Sequence, residues 1–115
     1  MKVHNMKLMP KYFEYIKNGT KKIELRLNDE KRKEIKIGDE IIFKELTDNP
    51  RYQKVKVIDL YYDVNFSNLI DRFDIKMLSD NTTTKEELLS ILNQIYSKEE
   101  QDKYGTVAIE MELVK

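Results

Sequence analysis

The sequence predicts an α+β fold: a small, curled, mixed sheet or open barrel with helices covering its ends. Three observations carry this. Strand-like segments outnumber helical ones in the order β-α-β-β-β-α-α-β. The chain's last segment, Thr106 to Val114, alternates well enough to pair inside a sheet rather than hang at its edge. With 115 residues, 40% hydrophobic, the chain builds one domain over residues 1–115, with a small core.

The elements follow in order. Val3 to Leu8 reads as a strand with Val3, Asn5 and Lys7 on one face and His4, Met6 and Leu8 on the other. Pro10 suits the first turn of a helix, where its missing N–H is not needed. Tyr12, Phe13 and Ile16 make its apolar stripe, and Asn18-Gly19 stops it. Thr20 to Leu27 is a strand with Ile23, Leu25 and Leu27 on one side and Lys22, Glu24 and Arg26 on the other. The polar run Asn28 to Glu34 is loop or a helical turn, and Gly38-Asp39 is a turn before the strand Glu40 to Leu46. Thr47 to Pro50 is a loop. Arg51 to Asp63 is a long strand whose alternation slips near Ile58, the mark of a bulge or of burial on both faces. Phe66, Leu69, Ile70 and Phe73 have helical spacing. Thr84 to Glu87 has the pattern of a capping box and opens the clearest helix of the chain, and Ser97 to Glu100 repeats the pattern before a shorter one that ends at Gly105. In the last strand Val107, Ile109, Met111 and Leu113 point inward.

Composition narrows the function classes. The 21 basic and 21 acidic residues cancel, so any nucleic-acid contact must come from a local patch rather than a general basic coat. Without Cys there is no disulfide, thiol chemistry or thiolate zinc site. His4 is the only His, a poor basis for a triad or a metal centre and more simply a packing residue. Asp63, Asp71, Asp74 and Asp80 are spaced as loop and cap residues, so neither a metal nor a cofactor is expected. No signal peptide or membrane-spanning stretch is visible; a cytoplasmic, monomeric protein is expected.

The stretch Asn18 to Arg26 concentrates the chemistry. A helix stop, a hydroxyl and both signs of charge fall within nine residues of one element boundary. Alternating charges on a strand ordinarily make a solvated face that pairs across strands. Asn28 to Lys36 is also rich in Lys and Arg, but Asp29, Glu30 and Glu34 largely cancel it, so a solvated face is expected there as well.

The segment Gly19-Thr20-Lys21-Lys22-Ile23-Glu24-Leu25-Arg26 fits the pattern G-x-K-x-x-E-x-R. With Ile37 to Phe43, Phe66 to Ile70, and Tyr104-Gly105 before the last strand, it resembles the ASCH domain family, which is similar to the PUA domains of RNA-modifying proteins. The resemblance implies a PUA-like open barrel of about five to six strands. It also implies a cleft beside the helix that ends at Gly19, where RNA or a nucleoside or nucleotide would be recognised. Gly19, Thr20, Lys21, Lys22, Glu24, Arg26 and Tyr61 are the expected ligand-binding residues. A small bacterial branch of the family hydrolyses N4-acetylcytidine with a Lys, a Thr and a Glu. Lys21 matches its Lys, Glu24 stands in the Thr slot, and the acidic member would fall near Asp80 or Asn81. The alternative reading is therefore an amidohydrolase, with Lys21 and Glu24 as catalytic residues. Glu24 would then serve as general base for a water and Lys21 or Arg26 would stabilise the oxyanion, because a neighbouring carboxylate holds Lys21 protonated. A protein-interaction domain is the third reading.

Overall fold

The computed structural model describes residues 1–80 and 82–114. Five strands, β1 (Val3–Leu8), β2 (Ile23–Leu27), β3 (Glu40–Glu45), β4 (Tyr52–Asp63) and β5 (Thr106–Leu113), form one sheet in the order β1-β3-β4-β5-β2. Among the described residues five α-helices accompany them: α1 (Pro10–Lys17), α2 (Phe66–Ile70), α3 (Ile75–Leu78), α4 (Lys85–Ile95) and α5 (Lys98–Tyr104). The sheet curls into a PUA-like half-barrel, so the α+β expectation holds. Only β1 and β3 run parallel. The C-terminal strand β5 lies between β4 and β2, as its alternation demanded. Among the described residues no helix is long and apolar enough to cross a membrane.

Two apolar clusters follow from the pleat. Met6, Phe43, Val57 and Ile109 on one face of the sheet pack with Phe13 and Ile16 of α1. Ile23, Leu25 and Ala108 turn the other way and bury against Phe66, Leu69, Leu78 and Leu88 of the helical layer. β2 and β5 are thus covered on both faces, and that is why their outward positions are not all polar. The register of β4 against β5 passes from Val57–Met111 to Asp59–Glu110. Ile58 is the extra residue, so the slip in alternation is a bulge.

Of the two capping boxes the sequence signals, the one at Ser97 is complete and the one at Thr84 is half made, without the return bond from Glu87 to the Thr84 N–H. Ser97 and Glu100 make a complete capping box on α5. Thr84 accepts from the Glu87 N–H at the start of α4. Asn65 and Asp74 cap α2 and α3 in the same way. At four residues, α3 is too short to show a periodicity, so the sequence does not predict it.

Asp39 explains the Gly38-Asp39 turn. Its carboxylate accepts from the backbone N–H of Lys2 and Lys36, each at 3.1 Å, and lies 2.8 Å from His4 Nε2. The lone His is therefore a buried strut between β1 and the turn before β3. At the other end of β3, Arg51 forks onto Glu45 and reaches Glu14 of α1 at 3.0 Å, with its guanidinium over the Phe13 ring. These contacts fix α1 against the sheet and so set where its C-terminus delivers the chain.

The His4 hydrogen bond, which outweighs the effect of burial, and the two N–H bonds hold the Asp39 carboxyl down at about 2. An unfolded Asp titrates near 3.9. The folded group has the lower pKa, so its stabilisation is complete above about pH 4 and disappears as pH falls toward 2. Asp39→Asn is expected to destabilise the domain at neutral pH by about 1–3 kcal/mol. Denaturant titrations at pH 7 and in the acid limb should show the gap between variant and wild type closing on acidification.

Candidate functional site

α1 ends where its sequence says it does. Gly19 takes φ +86°, a conformation that side chains disfavour, and turns the chain out of the helix. The Lys21 N–H returns to the Tyr15 carbonyl at 2.9 Å, and the Lys22 N–H binds the Met77 carbonyl at 2.8 Å. Lys21 is thereby held before β2 begins at Ile23, and its side chain is free of the strand's alternation. β2 is an edge strand, and so is β1.

Lys21, Glu24 and Arg26 form one buried ionic group. The Glu24 carboxylate places Oε1 3.2 Å from Lys21 Nζ and accepts from Arg26 Nε on Oε2 at 2.8 Å. Lys21 Nζ also donates to the carbonyls of Ile23 at 2.6 Å and Leu78 at 2.7 Å. Arg26 Nη2 donates to the Lys7 carbonyl on β1 at 2.7 Å, across the opening of the half-barrel. Lys21 and Glu24 are only 5% and 6% exposed. The alternating charges are therefore not a solvated face.

The electrostatics follow from this packing. Burial pushes the Glu24 carboxyl up, but the charges and hydrogen bonds of Arg26 and Lys21 outweigh it and hold the group below its ordinary value. Burial pushes Lys21 down, against the charge and hydrogen bond of Glu24. Three acceptors surround its nitrogen, and only the protonated ammonium has three N–H groups to satisfy them. Arg26 is raised, because Glu24 outweighs the cost of its burial.

These three residues line a cavity of about 200 Å³. Its remaining walls are mainly apolar: Leu8 and Leu25 from the two edge strands, Leu78 from α3, and Leu88, Ile91, Leu92 and Ile95 from α4. Tyr12 and Tyr96 add two aromatic rings, with Lys21 Nζ 5.8 Å from the Tyr12 ring centre. Burial and the nearby Glu24 charge raise the Tyr12 hydroxyl's pKa.

Of the expected residues, then, Lys21, Glu24 and Arg26 converge. Gly19 is the hinge that brings them there. Thr20 is exposed and its side chain takes no part in the group. Lys22 is exposed, takes no part in the ionic group and does not line its cavity; with Gly19 and Lys21 it borders another hollow near Ile58 and Leu113. Tyr61 is elsewhere, donating to Glu110 at 2.8 Å with its ring edge-on to Phe73 at 5.0 Å. It packs the helical layer, and the bond to Glu110 pushes its hydroxyl up to about 12. Asp80 does not line the cavity; it binds the hydroxyls and backbone of Thr82 and Thr83. Asn81 lies outside the described residues. Sequence reasoning missed Tyr96 and the α4 wall. The one signal was that the apolar stripe of α4 is too wide for a single packing face, leaving Ile95 58% exposed at the cavity rim.

With this geometry in place, the comparisons decide the family. The model of the ASCH domain matches residues 6–115. The chain belongs to the ASCH domain family. Its fold is similar to the crystal structure of hypothetical protein PH0355, with 39% identity and a TM-score of 0.86 over 99% of this chain and 100% of that one. It is also similar to the solution NMR structure of protein PF0455 from Pyrococcus furiosus, with 31% identity and a TM-score of 0.75 over 100% of this chain and 99% of the other. No curated protein matches the chain.

Removing the charge at the centre of the group leaves two buried cations unpaired. Glu24→Gln is expected to destabilise this ASCH domain by about 3–5 kcal/mol, and Lys22→Gln, at the exposed position just before β2, by less than about 0.5 kcal/mol. Paired urea denaturation curves check both values.

Proposed function

We propose that this ASCH domain recognises an unpaired base, presented by RNA or by a nucleotide, in the cavity over Glu24. One observation carries the reading: an ionised carboxylate is held rigid by Lys21 and Arg26 at the wall of an otherwise apolar, aromatic-lined cavity. A carboxylate oxygen has lone pairs beyond those used by one donor each, so Glu24 can accept from the exocyclic amino group of a base. Tyr12 and Tyr96 offer rings for stacking, and the leucine walls exclude competing water. Membership of a family similar to RNA-modification domains agrees with this ligand class.

The same geometry weighs against hydrolysis. A general base works best with a pKa near the operating pH, and Glu24 is held below its ordinary range. Both of its oxygens are already engaged by cations. Lys21 has its three N–H groups committed to acceptors and has no lone pair to act as base or nucleophile.

Thermal-shift and calorimetric titration with cytidine, adenosine, guanosine, uridine and N4-acetylcytidine tests the reading. Bases with an exocyclic amino group are expected to bind, and uridine, which lacks one, more weakly. Tyr12→Leu should weaken binding by the ~1–3 kcal/mol of one stacked base. Release of acetate from N4-acetylcytidine would overturn a binding-only role, and equal affinity for cytidine and uridine would remove Glu24 as the reader.

A further inference from the structure

A second hollow, of about 340 Å³, opens on the outward side of the sheet. Five of its nine lining residues are cations, Lys7, Arg26, Lys31, Arg32 and Lys44, and none is acidic. Arg26 and Arg32 are paired with Glu24 and Asp29, so in a chain with no net charge the uncompensated charge of the hollow is that of Lys7, Lys31 and Lys44. The sheet builds half of it. Lys7 on β1 pairs with Lys44 on β3, and Lys44 pairs with Tyr52 on β4. The three side chains stand in one row on one face, with neighbouring strands ~4.8 Å apart. All three are exposed, Tyr52 by 61%.

The acids of the Asn28–Lys36 run are taken up by cations other than Lys31. Glu30 pairs with Lys33 at 3.9 Å and Glu34 with Lys2 at 3.0 Å. Asp29 engages Arg32 at 3.4 Å, and Glu24 engages Arg26. Among the described residues, Lys7, Lys31 and Lys44 have no ion-pair partner at all. The run is solvated and largely self-neutralised, as its sequence suggests, but Lys31 is left at the hollow beside Lys7 and Lys44 with no acid paired to it.

The hollow also joins the cavity. Lys7 and Arg26 line both, and the Arg26–Lys7 hydrogen bond is the narrow bridge of protein between them. A base seated against Glu24 at this boundary would carry its sugar toward the cations. Resting on the base-binding reading above, we infer that the ligand is a segment of single-stranded nucleic acid rather than a free nucleoside. Its phosphodiesters lie in the hollow on Lys7, Lys31 and Lys44, and an adjacent base stacks on Tyr52. Lysine point charges suit backbone phosphates, which carry no sequence information, and the exposed aromatic ring suits a base of any identity. The two hollows divide the work: Glu24 selects and the lysine row holds.

Fluorescence polarisation with a short single-stranded RNA, alongside titration with the matching nucleoside and mononucleotide, tests this. The RNA is expected to bind at least about tenfold more tightly than the nucleoside, with a steep salt dependence. The double variant Lys31→Ala/Lys44→Ala should lose that advantage and lower the salt slope by about 1–2 while leaving nucleoside affinity unchanged. Tyr52→Ala should weaken RNA binding by about fivefold or more without changing the slope. Equal affinity for nucleoside and RNA, or an unchanged double variant, overturns the inference and leaves the cavity reading standing. A mononucleotide as tight as the RNA overturns the strand and leaves a single phosphate subsite. RNA binding that depends on the lysines while no nucleoside or mononucleotide binds supports the hollow and overturns the cavity reading instead. No binding of any ligand overturns both.

Discussion

The opening between the edge strands β1 and β2 governs this molecule. A closed barrel would pair those edges backbone to backbone, but here five strands leave them apart. Arg26 bridges the gap by donating to the Lys7 carbonyl, and it is steadied by Glu24, which is steadied by Lys21. Lys21 in turn binds carbonyls of β2 and α3. An isolated charge in such a place would cost several kcal/mol; a three-membered group with its remaining donors on backbone oxygens is tolerated. The motif is thus a structural fastening as much as a candidate recognition element.

That double role shapes what the site can do. Groups already bound to each other and to the backbone do not readily exchange protons, but they are well aimed. Rigid donors and acceptors at the wall of an apolar cavity discriminate by leaving wrong ligands unpaired. Recognition is the chemistry such an arrangement favours. It also couples ligand to fold, since a ligand that bonds Glu24 adds to the fastening of the seam and raises apparent stability.

Much of the fold was legible from residues. Pro10 and Gly19 bound α1, the Ser97–Glu100 box starts α5, and the slip at Ile58 is the bulge in β4. Those signals are local: a ring without an N–H, a backbone with φ above zero, a hydroxyl three residues before a carboxylate. α3 was missed because four residues hold no period. The site was half legible. Lys21, Glu24 and Arg26 lie within six residues and carry the family's motif, but their burial did not show. Charges three to a face are normally solvated, and only the cover of α3 and α4 makes them otherwise.

By itself, the sequence determined the element types, the turn positions, the family and the short segment that bears the ionic group. All depend on interactions a few residues apart. Only the tertiary structure decided that Lys22 and Tyr61 stand away from that group, that Tyr96 and α4 complete its cavity, and that Lys31 and Lys44 lose the acids beside them in the chain. The reason is one of distance. Coulombic pairing and packing act over ångströms in space, and chain order says little about which of many neighbouring charges a lysine will meet once β1, β3 and the loop after β2 are brought together.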